Sequence, residues 1–425
     1  MSCGVIMIKN HIMIMLSLLF GIGIFASPLF GQVEYVGILD TPGCPFDVFS
    51  LNNLVYVADF DYGLRIVDVT FPASPALIGG CDTPGDAIGV FVLGNYAYIA
   101  DYDSGFQIID VSNPSGPSCV GSYNTPGTAE AVFVRGNLAY VADGLFGLEI
   151  YDISTLSNPT WVGNWNTFGY ATGIVVSGDY AYVADFERGL VIINVSDPAN
   201  PIFTGAYNTD GYSDDVYLSG NNAFIADRDQ GLQIINIANP TNPLLVSNYN
   251  TPGVAYRVVV SGNYAYIGDY FSLQIVDVSN PANPTSAGSY NTSLPAKGVS
   301  VSGDYIYVAD SDSLLILRFV AADIDGNASL SLPRCLSISQ NYPNPFNPAT
   351  TIEYYLPKQS QVSIDIFDLL GHRVRTLVNE LKSAGSFRIE WNGRDNFNRP
   401  VSTGIYLYRF QADDVVQTKK MLLLK

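Results

Sequence analysis

Carboxylates are the groups with the most chemistry to offer in this chain, and they fall into two sets. The first is regular. Asp59, Asp101, Asp143, Asp185, Asp227, Asp269 and Asp310 recur at five intervals of 42 residues and one of 41, each after alanine except at Gly268. A second acid follows two residues on at Asp61, Asp103, Glu187, Asp229 and Asp312. Paired hard oxygens make Asp59, Asp61, Asp101, Asp103, Asp227 and Asp229 candidates for calcium, the one cofactor worth considering, although the distal Glu of a full calcium loop is missing. The competing use is structural: an Asp that hydrogen-bonds the backbone of its own turn, with Gly63, Gly105, Gly147, Gly189 and Gly231 close behind it.

The second set is irregular. Val48, Val90, Val132, Ile174, Val216, Val258 and Val299 form a uniformly apolar column at the same period, while the two positions before each vary. They read Phe46-Asp47, Ile88-Gly89, Glu130-Ala131, Thr172-Gly173, Asp214-Asp215, Tyr256-Arg257 and Lys297-Gly298. If the repeat brings these positions together, ionisable and aromatic groups converge on a concavity, the default pattern of a binding site, so Phe46, Asp47, Glu130, Asp214, Asp215, Tyr256, Arg257 and Lys297 are the ligand candidates. Phe60, Tyr102, Phe186 and Tyr270 follow the repeated Asp, with Tyr62 and Phe146 nearby. Aromatic faces beside carboxylates suit sugars; packing between neighbouring turns is their alternative use. Asp47, Glu130, Asp214 and Asp215 are also the candidates for a carboxylate-only glycan-cleaving mechanism.

Histidine narrows the chemistry further. His11 and His372 are the only two, so residues 32–371 cannot hold a Ser-His-Asp triad, a Cys-His pair or a His-based metal site. No catalytic residue is assigned, and a non-enzymatic protein is expected. Cys44, Cys81, Cys119 and Cys335 fall irregularly in the repeat and read as buried free thiols rather than a disulfide framework.

The elements that position these residues follow from the period. Each unit contains four β-rich runs, as in 87–93, 96–101, 106–111 and 119–123, with Gly-Asn or Gly-Asp at the first hairpin. Four short strands per unit of about 40 to 45 residues is the size of a propeller blade. The last unit has three strands, ending at Phe319, and the missing fourth is supplied from the other end: Tyr35 to Gly43 aligns with Cys119 to Gly127. A closed ring of seven blades is expected, because closure removes exposed sheet edges; an open β-solenoid is the runner-up. The variable pairs then lie at the mouth of the central channel, on an acidic face.

Leu64-Arg65-Ile66-Val67-Asp68, Leu190-Val191-Ile192-Ile193-Asn194 and Leu273-Gln274-Ile275-Val276-Asp277 resemble the LVIVD repeat of bacterial and archaeal surface proteins. The resemblance spans about residues 32–320 and departs at Tyr151 and at Leu314-Leu315-Ile316-Leu317-Arg318. It implies a surface propeller with no defined reaction.

Residues 1–31 have the layout of a signal peptide, with Lys9 ahead of the apolar run Ile12 to Phe25 and cleavage expected before Gln32. A retained anchor is the alternative, and no later segment is apolar enough to span a membrane. After a linker at 321–340, residues 341–425 carry alternating runs of a small β-sandwich. Tyr342-Pro343-Asn344-Pro345-Phe346-Asn347-Pro348, Trp391-Asn392-Gly393-Arg394-Asp395 and Ser402-Thr403-Gly404-Ile405-Tyr406 resemble the sorting domain of type IX secretion cargo (type A), akin to the immunoglobulin-like domain of flagellar hook-capping proteins. That resemblance implies the type IX machinery as partner and a secreted or outer-membrane surface destination; His372 and Arg373 read as loop residues. The whole is therefore an all-β chain: a seven-bladed β-propeller closed by an N-terminal strand, then a small Ig-like β-sandwich. At a formal net charge of −19, its field repels nucleic acid, and a glycan or surface protein is the expected ligand of the ring.

Overall fold

Alternation inside the third run of each repeat explains the fold. In Leu64–Asp68, Leu64 and Ile66 point to one side and Val67 to the other, as successive residues of a strand must. In the computed structural model both sides are covered: Leu64 and Ile66 pack against Val90, Val92 and Ile99 of the following repeat, and Val67 against Ala309, Leu314 and Ile316 of the last. A sheet buried on both faces reads as a near-continuous apolar run, which is why the second and third strands of the repeats look alike. The structure describes residues 31–321, 337–338, 341 and most of 344–424. The expected leader up to residue 30, most of the linker, Cys335 and part of the Tyr342 motif lie outside the described residues.

The chain forms two compact units, divided between Ile324 and Asp325. In the first, blades 1 to 5 span 47–81, 89–123, 131–165, 173–207 and 215–249, each a four-stranded antiparallel meander. Blade 6 begins at Arg257, and its outer strand runs unbroken into the inner strand of blade 7 as Thr285–Ser302. Blade 7 continues with Tyr305–Asp310 and Ser313–Val320 and is completed by Gln32–Asp40, which pairs antiparallel from Gln32 with Val320 to Asp40 with Ser313. Apolar clusters occupy the seven interfaces between successive blades, that between blade 7 and blade 1 included, so the ring is closed.

Adjacent blades also meet backbone to backbone at their outer strands. A Cβ on Gly121 would lie 1.8 Å from the Leu156 carbonyl of the next blade's loop, and Gly37, Gly79, Gly163 and Gly205 face similar contacts. Blade 5 has Ser247 there, and its hydroxyl turns the contact into a hydrogen bond, 2.6 Å to the Pro281 carbonyl.

The second unit is a sandwich of two antiparallel sheets. One is ordered Arg373–Lys382, Ser360–Phe367, Gly404–Ala412, Val415–Leu423; the other Ser337–Ile338, Thr350–Leu356, Gly385–Trp391. Trp391, Tyr408, Phe346 and Phe410 fill the space between them. Strand Arg373–Lys382 is a correction: Arg373 opens a strand instead of lying in a loop, and its sequence lacks the alternation that would betray it.

Candidate functional site

The carboxylate of the repeated Asp is held chiefly from outside its own turn, Asp269 adding the Ser272 hydroxyl at 3.3 Å. Asp143 is fully buried; its Oδ1 accepts the Thr125 hydroxyl at 2.5 Å and its Oδ2 accepts the Gly127 amide at 2.8 Å. Thr125 and Gly127 lie on the segment linking blade 2 to blade 3, so the carboxylate latches one blade's exit to the next blade's second strand. Asp59, Asp101 and Asp269 repeat both bonds; Asp185 and Asp227 keep the one from threonine. Burial raises the pKa of every one of these acids, and their hydrogen bonds pull against it. Asp310 is the exception: Thr292 donates to the Leu294 carbonyl instead, and burial next to Asp312 pushes Asp310 up to about 6.

The residue after the repeated Asp takes one conformation in every blade, with or without the latch. Phe60, Tyr102, Gly144, Phe186, Arg228, Tyr270 and Ser311 all have φ between 35° and 57°. Glycine would be the low-strain choice, yet only blade 3 uses it. Bulky residues held in this left-handed region cost about 1–3 kcal/mol each and mark positions over-determined by their surroundings.

Inside these turns the first variable column becomes a wall. Phe46, Ile88, Glu130, Thr172, Asp214, Tyr256 and Lys297, one from each blade, line a cavity of about 540 Å³ at the channel mouth. Arg228 and Phe186 join them from the strained turns, Leu145 and Glu187 from the neighbouring loops, and Phe168 and Tyr170 from the segment between blades 3 and 4. Arg228 donates to the Asp214 carboxylate at 2.6 Å and lies 4.6 Å from the Phe186 ring centroid and 5.3 Å from that of Tyr256. Lys297 sits 3.2 Å above the Phe46 ring, which stacks in turn on Phe60. Glu130 accepts the Tyr170 hydroxyl and, at 3.2 Å, that of Thr128; burial raises its pKa against these bonds.

The second variable column contributes Arg257 to the same cavity. Arg257 stands 3.7 Å from Asp47 of blade 1 and 3.7 Å from Asp215 of blade 5, and small residues at Gly89, Ala131, Gly173 and Gly298 make the room. Asp47 and Asp215 also accept the amides of Val90 and Val258 from the next blades. Burial, opposed by Arg257, raises Asp47 and pushes Asp215 up to about 6.

Residues 46–83, 84–125, 126–167, 168–209, 210–251, 252–292 and 295–318 match the LVIVD repeat. The chain belongs to the LVIVD repeat family. Physically, the LVIVD strand sends its first and third residues to the following blade and its fourth to the preceding one. Its Asp or Asn then ends the strand by accepting the amide two residues on: Thr70 to Asp68 at 2.8 Å, Ser154 to Asp152 at 2.7 Å, Ser196 to Asn194 at 2.9 Å. Residues 347–414 match the FlgD Ig-like domain. No curated protein matches the chain. Among solved structures it is similar to the Cps50 (Swd1) β-propeller domain of Myceliophteria thermophila, at 11% identity and TM-score 0.57 over 68% of this chain and 99% of that one. It is similar to a chain of the mitotic checkpoint complex at 13% and 0.58, over 73% and 99%. A further likeness is to PorZ, a surface component of the type IX secretion system of Porphyromonas gingivalis, at 14% and 0.49, over 91% and 60%. At such identities the first two show the fold alone.

On this LVIVD ring, Phe46, Glu130, Asp214, Tyr256, Arg257 and Lys297 share one cavity, while Asp47 and Asp215 flank Arg257 instead of lining it. Of the aromatics expected around the mouth, Phe186 lines the cavity, whereas Phe60 and Tyr270 pack on neighbouring rings. Asp59, Asp101 and Asp227 are committed to the latch, which separates their carboxylates from the exposed Asp61, Asp103 and Asp229 and removes the calcium pairing. Among the described residues no group of three acids, histidines or cysteines could hold a metal ion. Among the described residues the expected burial of the thiols does not hold: Cys81 and Cys119, on outer strands, are half-buried and exposed, and Cys44, on the segment leading into blade 1, is half-buried. Sequence reasoning missed Arg228, Tyr170, Phe168 and Leu145. Their signal was present as breaks in the repeat, where Thr167-Phe168-Gly169 replaces Thr-Pro-Gly and Arg228 replaces an aromatic.

Proposed function

We propose that this protein is an exported, non-enzymatic binding propeller that holds an uncharged glycan at its channel mouth. One observation carries the reading: Asp214, Arg228, Arg257 and Glu130 are already engaged within the chain, which leaves the exposed Phe168 ring and hydroxyl-bonding groups for a ligand. Asp214 is held by Arg228, Arg257 stands between Asp47 and Asp215, and Glu130 is bonded by Tyr170 and Thr128. A carboxylate-based hydrolase needs one acid and one nucleophile or base facing each other across open space, and acids engaged in this way favour binding over cleavage. The cavity falls within the usual range of roughly 300–1,000 Å³ for a small-ligand site, which argues against a purely structural ring.

The C-terminal unit supplies the address. Its match to the Ig-like domain and the Trp391-Asn392-Gly393 and Thr403-Gly404 motifs support a role as a type IX export signal, with a secreted or outer-membrane surface location as the result. Among the described residues no helix is long and apolar enough to cross a membrane.

The ring reading is tested by titrating saccharides from a glycan array into the full chain, wild type and Tyr256→Ala, by calorimetry. Saccharide binding that is weakened in the variant supports the site; absence of any saccharide binding refutes it. The export reading is tested by fusing residues 341–425 to a periplasmic reporter in a type IX-competent bacterium, where retention of the reporter in the periplasm refutes it.

A further inference from the structure

The wall of the channel-mouth cavity does not end at the boundary between blades 3 and 4. Phe168 and Glu187 line it and also line a second cavity, of about 990 Å³, whose far side is made by Trp165 and Phe203 on the outer strands of those blades. Two departures from the repeat open this space. The first is Val191. Blades 1, 2, 3, 5 and 6 have Arg65, Gln107, Glu149, Gln233 and Gln274 at its position, and the first four bridge from the third strand to the turn before it or to the outer strand and the residue after it. Gln107 bonds the Ser104 carbonyl, Glu149 the Trp161 indole and Arg65 the Asp82 carboxylate. Valine bridges nothing, and the gap remains.

The second departure is Phe168 itself. Blades 1, 2, 3 and 6 are entered through Thr-Pro-Gly, whereas Phe168 stands at φ 64° with 70% of its surface exposed. A non-glycine residue in that region is strained by about 1–2 kcal/mol, and an exposed ring recovers little of it by packing. Its backbone is held on both sides: the amide donates to Asn166 at 2.7 Å and the carbonyl accepts from Arg188 at 2.9 Å.

Resting on the glycan reading above, we infer that the two cavities form one radial track for a polysaccharide chain, with one sugar at the channel mouth and the following units in the outer groove. Phe168 stands between them as the shared stacking face. A peptide that binds a sheet protein by strand addition needs free backbone donors and acceptors along an edge. Here the backbone at the crossing is already bonded, and what the groove presents is aromatic faces with Thr167, Glu187, Arg188 and Asn208 beside them. Each cavity alone has the size of a small-ligand site, so together they fit a ligand of more than one unit.

The test uses the full chain and two variants chosen to keep the fold. Val191→Gln installs the residue found at this position in blades 2, 5 and 6 and fills the groove; Phe168→Gly relieves the strained φ and removes the ring. Binding is measured against length series, monosaccharide to hexasaccharide, of cello-, manno-, xylo- and chito-oligosaccharides. Affinity is expected to rise with length in the wild type; Val191→Gln should weaken hexasaccharide binding by about tenfold or more while leaving the monosaccharide unchanged, and Phe168→Gly, which removes the face shared by both cavities, should weaken hexasaccharide and monosaccharide alike. Length-independent binding, or a Val191→Gln variant that retains the hexasaccharide, overturns the track and leaves the channel-mouth site standing. Failure of every saccharide overturns both, as does a peptide ligand displaced by Val191→Gln in the absence of saccharide binding.

Discussion

Glu149 is 1% exposed at a position where three other blades carry glutamine, and replacing it with Gln should stabilise the ring in alkaline solution. Burial pushes its carboxyl from 4.5 up to about 7, against a 2.7 Å hydrogen bond from the Trp161 indole. Below pH 4.5 the group is protonated folded and unfolded and contributes nothing. Between 4.5 and 7 the unfolded chain has released the proton and the ring still holds it, so stability falls as pH rises; above 7 the loss is complete. At about 1.36 kcal/mol per pKa unit, that loss is about 3 kcal/mol. Glutamine accepts the same indole N–H without a charge, and its amide can reach the Phe146 carbonyl, as Gln107 and Gln233 reach those of Ser104 and Gln230. For a unit of this size 1 kcal/mol moves Tm by about 2–4 °C, so Glu149→Gln should melt on the order of 6–12 °C higher at alkaline pH. The two proteins should melt together in acid. Thermal denaturation of both across the pH range is the assay, with the other buried acids cancelling in the difference. A pH-independent difference, or a variant that melts lower at alkaline pH, refutes the reasoning.

Two further outcomes follow from the latch and the blade contacts. Thr125→Val removes a donor to the buried Asp143 carboxylate and should destabilise by about 1.5–3 kcal/mol in denaturant unfolding, whereas Thr292→Val, whose hydroxyl serves a carbonyl instead of Asp310, should lose less. Gly121→Ala forces a methyl against the Leu156 carbonyl and should either prevent folding or cost well over the roughly 1–2 kcal/mol expected for Gly94→Ala, where the φ of 62° is the sole obstacle and nothing lies within 4 Å.

The ring was legible because its cause is periodic. A 42-residue beat, an apolar column and a strand displaced to the far end are visible in letters alone, and the same alignment located the wall residues from Phe46 to Lys297. The role of the repeated Asp was less accessible. Glycine four residues on points to its own turn or to calcium, but its partner is the threonine 18 residues earlier, brought beside it by the passage from one blade to the next. Tyr170 and Phe168 escaped for the same reason: they belong to the connecting segments, whose contacts depend on how two blades meet. Strand Arg373–Lys382 escaped because Arg-Val-Arg-Thr-Leu-Val-Asn-Glu-Leu-Lys keeps no period of two across its register shifts.

The seam between Gln32–Asp40 and Ser313–Val320 also sets an order of events. The segment made first must wait for the one made about 280 residues later, and loop closure over that distance is the slowest kind of contact to form. Until then two strand edges stand open on one molecule, each shaped to receive the other and therefore equally able to receive the matching edge of a second copy. Pairing within one molecule gives a monomeric ring, whereas the same pairing between two copies gives a swapped pair.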